Sequence, residues 1–520
     1  MYQYLTQALH RAMQTRRNVV ATVCGDRRRT YGEFGERVMR LAGALRALKL
    51  EPGERVGMLA LNSDRYLEYY MAVWWAGGAV NPVNIRWSAA EIVYSLDDCE
   101  TRILLVDDQF IGLIGGLREQ SRCLETIIYA GDSLAPEGTL SYEDLIASHG
   151  PLTDAMRSDD DLCGVFYTGG TTGFPKGVML SHTNLLSNAM SGVAEVPIPL
   201  DWRVLHVAPL FHLAAMTVVL RAFVRGITHV VLPAFEPVAL MKAVQRDQIS
   251  SLLMVPTMIQ MVVDHPQMTS FDLSSLKQIL YGASPISEAL LDRAFAAFPN
   301  VEFAQGYGMT ELSAGISFLH GQWHAPGGRV PGRLRSAGQA ICGVDIAVVD
   351  GEDHELPKGQ IGEIVVRGPG VMLGYWNKPE ETAEALRGGW MHTGDAGYMD
   401  EDGFLFVVDR IKDMIVTGAE NVYSAEVENA LSRHAAVATC AVVGVPSEKW
   451  GESVHAVIVL RPDATVTEEE LRAHCRTLIA GYKCPRTIEF RAALPISGAG
   501  KLLKFKLREE FWQGRERQVG

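Results

Sequence analysis

The chain has 520 residues, more than one ordinary hydrophobic core accommodates, and so divides into roughly two to four domains or subdomains. A composition of 48% hydrophobic, 21% charged and 8% aromatic residues excludes a disordered or fibrous protein. The net charge of -13 argues against nucleic acid as the main partner, because phosphate backbones need basic surface, but leaves room for one basic pocket around a small anion.

The opening stretch MYQYLTQALHRAMQTRRN lacks the apolar core of a signal peptide. Thr30-Tyr-Gly-Glu33 is a capping-box pattern, and Phe34, Val38, Leu41, Leu45 and Leu48 then share one helical face. Glu51-Pro-Gly53 ends that helix, and Arg55–Leu61 reads as a buried strand. The apolar run Met71–Val83 is short and contains glycines, and no segment is long enough to span a bilayer. The eight cysteines are scattered without Cys-x-x-Cys or zinc spacing, which fits thiols used in packing and a reducing compartment. The expected location is therefore the cytoplasm.

Short apolar runs such as Ile103–Val106 and Thr228–Leu232 alternate with helical stretches, which predicts helices on largely parallel sheet. Arg221 and Arg225 flank an apolar stretch that reads as helix ends in a folded core rather than a membrane-docking surface. From Gly338 to Asp409 the pattern turns to strands, with a hairpin predicted across Asp400-Glu-Asp-Gly403. After Arg410 a small module follows: a helix from Ser424, strands near Ala438–Val443 and Val454–Leu460, and a capped helix at Thr467-x-x-Glu470. The expected architecture is α/β, with a large N-terminal domain (1–410) of α/β subdomains and a small β subdomain, and a small α+β C-terminal domain (411–520).

Phe166-Tyr-Thr-Gly-Gly-Thr-Thr-Gly-Phe-Pro-Lys-Gly177 is the densest phosphate-binding signal. Its glycines let backbone N–H groups approach an anion, its threonines add hydroxyl donors, and Lys176 adds a charge. It is not the P-loop of nucleoside triphosphatases, because Lys176 is followed by Gly177 rather than Ser or Thr. Further on, Gln305-Gly-Tyr-Gly-Met-Thr-Glu311 sets an aromatic ring, a hydroxyl and a carboxylate within a few residues, the last suited to Mg²⁺. His392-Thr-Gly-Asp395 offers a carboxylate to a pair of ribose hydroxyls. Asp409-Arg-Ile-Lys-Asp413 is a charged cluster at the domain boundary. Ser497-Gly-Ala-Gly-Lys501 sets a lysine after a glycine-rich loop, with Lys504 and Lys506 reading as exposed.

In order and spacing these stretches resemble the adenylate-forming superfamily of acyl-CoA synthetases, aryl-CoA ligases, luciferases and amino-acid adenylation domains, over nearly the whole chain from Thr30 to Lys501. FYTGGTTGFPKG resembles its phosphate loop; QGYGMTE, HTGD and DRIKDMIVTGAENVYSAEVE resemble its next three signatures. The resemblance implies ATP, Mg²⁺ and coenzyme A as cofactors. It implies that Lys501 bridges the substrate carboxylate and the α-phosphate. Lys176, with Thr168, Gly169, Gly170, Thr171, Thr172 and Gly173, holds the departing phosphates, while Thr310 and Glu311 complete the catalytic set and Glu311 reaches the metal. Tyr281-Gly282-Ala283-Ser284 and Tyr307 frame the adenine, and Asp395 and Arg410 hold the ribose. Lys412 is the implied hinge about which the small domain rotates to bring Gly418, Ala419 and Glu420 to the pantetheine tunnel. His212, Gly306, Gly308 and Met309 fall in the implied acyl pocket, with Leu213, Met216, Leu312 and Ile316 as apolar wall.

Three positions depart from the family pattern: Gly169 for Ser, Ala419 for Gly and Ala499 for Thr. The stretch Ala208–Met216 has no acidic residue to pair a substrate ammonium, which argues against an amino acid as substrate. The implied reaction is ATP-dependent acyl-CoA formation, with a medium- or long-chain fatty acid expected first. An aryl-CoA ligase for cinnamate-type acids, a ligase loading a carrier protein and a non-catalytic nucleotide-binding protein are the alternatives. No carrier domain follows Lys501, so free CoA is the expected acceptor and a small carboxylic acid the expected partner.

Overall fold

A computed structural model describes residues 3–168, 175–284, 286–328, 330–417, 420–496 and 502–513. Its large N-terminal domain is built on two mixed sheets. One has nine strands, in the order Gln339–Ala340, Ala314–Leu319, Glu302–Met309, Gln278–Gly282, Ser251–Met254, Arg203–His206, Thr228–Val231, Val20–Cys24 and Arg27–Thr30. The six strands from Glu302–Met309 through Val20–Cys24 are parallel, and the edges are antiparallel. The other has eight strands and runs from Gly374–Tyr375 through Lys176–Ser181, Leu162–Thr168 and Ala79–Pro82 to Leu140–Ser141.

Helices cover these sheets because their apolar residues recur on one face. In Tyr31–Ala47 the Thr30 hydroxyl accepts from Glu33 N and the Glu33 carboxylate reaches back, the predicted capping box. Phe34, Val38, Leu41 and Leu45 are all buried in the central apolar cluster with Trp74, Phe223, Leu180 and Val56, so one core joins elements of both sheets. The cation–carboxylate network around it is also internal: Asp64 and Glu68, both fully buried, receive Arg27, Arg29 and Arg37. Arg221 lies in the folded core, as expected: it is 4% exposed and donates to the Val196 carbonyl at the end of the helix His182–Glu195. One expectation changes here, that Lys504 is exposed. It is internal, bonded to Glu428 at 2.8 Å and to Ser424 Oγ at 2.6 Å.

The predicted hairpin is present: Met391–Met399 pairs antiparallel with Leu405–Arg410, in a four-stranded sheet with Asp345–Val349 and Gly362–Arg367. Beyond it lies the smaller α+β domain. Its five-stranded sheet is formed by Ile415–Thr417, Glu420–Val422, Val437–Ser447, Gly451–Leu460 and Thr487–Phe490, covered by the helices Ser424–Ser432, Glu468–Arg476 and Lys504–Trp512. Among the described residues no helix is long and apolar enough to cross a membrane.

Candidate active site

The end of the parallel strand Glu302–Met309, the edge strand Gly374–Tyr375 and the small antiparallel sheet meet through side-chain contacts. Leu162–Thr168 and Lys176–Ser181 form a hairpin with Thr168 opposite Lys176, so the glycine-rich loop is its connection. Gly169, Gly170, Thr171, Thr172 and Gly173 lie outside the described residues. Lys176 extends from the far strand, and its ammonium sits 5.0 Å from the centre of the Tyr375 ring. Tyr375 is there because Gly374–Tyr375 pairs as an edge strand with Val178 and Met179. Its hydroxyl donates to Glu311 Oε1 at 3.0 Å. Burial and the neighbouring Glu311 raise the phenol's pKa, so it stays a donor.

Glu311 is 7% exposed, in the turn Thr310–Leu312 that closes the strand Glu302–Met309. That turn exits through Ser313 at φ 58°, a left-handed conformation held by the Ser313 hydroxyl on the Gly370 carbonyl at 2.8 Å. Two glycines upstream are required by close approach. A Cβ on Gly282 would stand 2.2 Å from the Gly306 carbonyl of the paired strand, and one on Gly308 would stand 1.5 Å from the Ala314 carbonyl. Ala283 then takes φ 66° and leads the chain out to Ser284. Tyr281 itself faces the other way: it is buried against Phe303 and its hydroxyl meets His324 Nε2 at 2.8 Å. The adenine-framing role implied for its ring therefore does not fit this buried position.

Tyr307, Asp395 and Arg410 form a connected triad. The Tyr307 hydroxyl donates to Asp395 Oδ2 at 2.6 Å, and Arg410 Nε meets Asp395 Oδ1 at 2.6 Å. Asp395 and Arg410 are opposite each other on paired strands. The bend that aims Asp395 comes from Gly394 at φ 67°, whose N–H donates to Glu363 Oε1 at 2.9 Å. Burial opposes the charge on Arg410, but Asp395 together with Tyr307, Glu311 and Asp413 outweighs it and the guanidinium is held above its ordinary pKa. Burial, and then Arg410, lower the ammonium pKa of Lys412.

The acyl-side residues are partly core. Leu213, Met216, Leu312 and Ile316 are buried, whereas Met309 is half-buried. His212 precedes the helix Leu213–Arg225 with its ring 4.2 Å from that of Phe211. Phe318, which the sequence did not single out, is half-buried with Cε1 3.0 Å from where a Gly306 Cβ would be. Tyr375 escaped notice too, since no spacing marks a residue that joins the site through an edge strand. In the small domain Glu420 is exposed at the start of a hairpin strand; Gly418 and Ala419 lie outside the described residues. So does Lys501, which precedes Leu502, the residue bridged to Ile496, and the helix Lys504–Trp512.

Residues 9–376 match the AMP-binding enzyme family, and residues 426–501 match the AMP-binding enzyme C-terminal domain. The chain is 40% identical over 488 residues to a feruloyl-CoA synthase of an Amycolatopsis species, covering 93% of this chain and 94% of that one. It is 35% identical to a medium/long-chain-fatty-acid–CoA ligase of Mycobacterium tuberculosis, over 98% of this chain and 90% of the other. An anthranilate CoA ligase crystallised with anthranoyl-AMP superposes with a TM-score of 0.90 at 28% identity, covering 98% of this chain and 97% of that one. Two matched domains in the right order, with the contacts that link Lys176 to Glu311 through Tyr375 and Tyr307 to Arg410 through Asp395, lead to one conclusion: the chain belongs to the AMP-binding enzyme family and is an adenylate-forming enzyme of the superfamily of acyl- and aryl-CoA ligases.

Proposed function

We propose that this ATP-dependent acid–CoA ligase acts on an aromatic, cinnamate-type carboxylic acid and uses free coenzyme A as acceptor. One observation carries the choice of acid: identity to the feruloyl-CoA synthase, 40%, exceeds identity to the fatty acid ligase, 35%. The half-buried Phe318 ring against Gly306 supports it, because a planar acid gains offset or edge contacts there that an alkyl chain does not. The fatty acid expected first from the sequence becomes the second reading.

In the first step a carboxylate oxygen attacks the α-phosphorus of ATP, an O–P bond forms, and pyrophosphate leaves. Both reactants are anionic, so the site must offset repulsion and developing charge. Lys176 supplies a cation at the mouth of the phosphate loop, and Lys501 is assigned to the α-phosphate and the incoming carboxylate. Among the described residues only Oε1 of Glu311 accepts a hydrogen bond, from Tyr375, so Oε2 is available to a hard cation. That donor set fits Mg²⁺, which takes one or two carboxylates and fills its shell with phosphate oxygens and water; when bound, it neutralises phosphate charge. Tyr307, Asp395 and Arg410 orient the nucleotide through its ribose. In the second step the CoA thiol attacks the acyl carbonyl, the thioester forms and AMP leaves. Rotation about Lys412 is assigned to the interval between steps, carrying Lys501 out and Gly418-Ala-Glu420 in.

The test is AMP and pyrophosphate release from ATP with ferulate, coumarate, cinnamate, benzoate and fatty acids of graded length, each with and without CoA. Thioester formation highest with the cinnamate group is expected. A maximum with long-chain fatty acids would overturn the choice of acid, and pyrophosphate release without thioester would overturn the choice of acceptor.

A further inference from the structure

The two domains touch through little apolar surface. Among the described residues each apolar cluster draws on one domain only: the clusters around Ile415, Val442 and Ile458 and around Ala441 and Leu507 hold no residue before Ile415, and the others hold none after Val407. Polar contacts across the boundary include Gln260 Nε2 to the Ala438 carbonyl at 3.4 Å and Arg433 to Glu288 at 3.3 Å, the latter between side chains that are 39% and 34% exposed. Such an interface leaves relative motion as the default.

One cross-boundary contact is different. Asp409 is 8% exposed and Ser424 fully buried, and Asp409 Oδ2 accepts from both Ser424 N and Ser424 Oγ at 2.6 Å. Asp409 belongs to the last strand of the large domain, paired with Ala396. Ser424 opens the helix Ser424–Ser432 of the small domain, and the residue before it, Tyr423, makes no side-chain cap. The first amide of that helix is therefore capped by a carboxylate of the other domain, with the favourable sign against the helix dipole. Ser424 Oγ also receives Lys504 Nζ at 2.6 Å, and Arg508 Nη1 bonds Asp413 Oδ1 at 2.7 Å and the Lys412 carbonyl at 3.3 Å. Lys504 and Arg508 share the helix that begins three residues after Lys501.

We propose that Asp409 is a positioning residue: by capping the small domain's first helix across the boundary, it holds that domain, and with it the segment bearing Lys501, in one of its working orientations. The cap is lost when the small domain turns about the 410–413 segment, because Asp409 stays with the large sheet and Ser424 does not. Its strength sets how the enzyme divides its time between adenylation and thioester formation. The inference rests on the two-step reading above.

The test uses the full chain with Asp409→Asn and Ser424→Ala, the second retaining the amide contact and nearly the same volume. Adenylation is read by ATP–pyrophosphate exchange with the best acid of the panel. The thiol step is read by CoA consumption from supplied acyl-adenylate. The expected result is a change of about fivefold or more in the ratio of the two rates, one half-reaction gaining relative to the other, as for a lost helix cap. A ratio unchanged in both variants, including equal slowing of both steps, overturns the proposal. An arm independent of activity is amide hydrogen exchange at Ser424. Exchange about fivefold faster in Asp409→Asn than in the parent is expected, and equal exchange overturns the cap. If the parent enzyme activates no acid, it is the ligase reading that has failed, and the exchange arm alone decides the cap.

Discussion

Tyr375 donates its hydroxyl to Glu311 at 3.0 Å while its ring carries the Lys176 ammonium 5.0 Å from its centre. One side chain thus ties Lys176, proposed to hold the departing phosphates, to Glu311, proposed to reach the metal. Lys176 and Glu311 are 135 positions apart in the sequence, and neither of their motifs contains Tyr375.

Tyr375→Phe removes the bond to Glu311 and keeps the ring under Lys176. A hydrogen bond to a charged group contributes about 1.5–3 kcal/mol, so adenylation is expected to fall by roughly tenfold or more. The dependence on Mg²⁺ should shift to higher concentration. ATP–pyrophosphate exchange against Mg²⁺ concentration reads both effects; a rate like that of the parent would leave Tyr375 a packing residue.

Phe318→Leu tests the aryl pocket. Losing an aromatic pair costs about 0.5–1.5 kcal/mol, which predicts a three- to tenfold rise in KM for ferulate with little change for a short fatty acid. Parallel changes for both acids would place Phe318 outside the acyl site.

Lys501→Ala is expected to abolish adenylation while sparing thioester formation from supplied acyl-adenylate, since only the first step brings two anions together. Equal loss of both half-reactions would remove that assignment. Lys412→Pro fixes a backbone torsion at the proposed hinge and should impair the thiol step more than adenylation, read in the same pair of assays.

His206 and His229 give a pH prediction. They lie fully in the core on neighbouring strands, with Nε2 of the first 3.0 Å from Nδ1 of the second, and burial lowers both pKa values, that of His206 to about 3. Between the ordinary value of about 6.5 and the lowered one, the unfolded chain binds protons that the folded chain does not. Stability contributed by the neutral pair is therefore complete above about pH 6.5 and declines as pH falls through that window, by up to about 1.4 kcal/mol per pH unit per histidine. Thermal unfolding between pH 7 and pH 5 should show a falling Tm whose slope is reduced in the double variant H206L/H229L. An unchanged slope would mean that other groups govern the acid response.

The local chemistry was legible in the sequence. The capping boxes at Thr30 and Thr467, the hairpin at Asp400–Gly403 and the helix beginning at Ser424 follow from propensity, periodicity and turn chemistry within a few residues, and they formed as expected. The family and the fold of a large α/β domain followed by a smaller α+β domain followed from the order of motifs along one chain. What the tertiary structure decided were relations between distant residues: Tyr375 beneath Lys176, Phe318 over Gly306, Tyr281 turned into the core, Lys504 buried beside Glu428, and Asp409 capping a helix of the other domain. Sequence periodicity specifies which face of an element is apolar, but not which element lies opposite. A lysine or aspartate has the same local signature whether it ends in water or in a buried ion pair, and only the packing of sheets and domains supplies the partner that makes burial affordable.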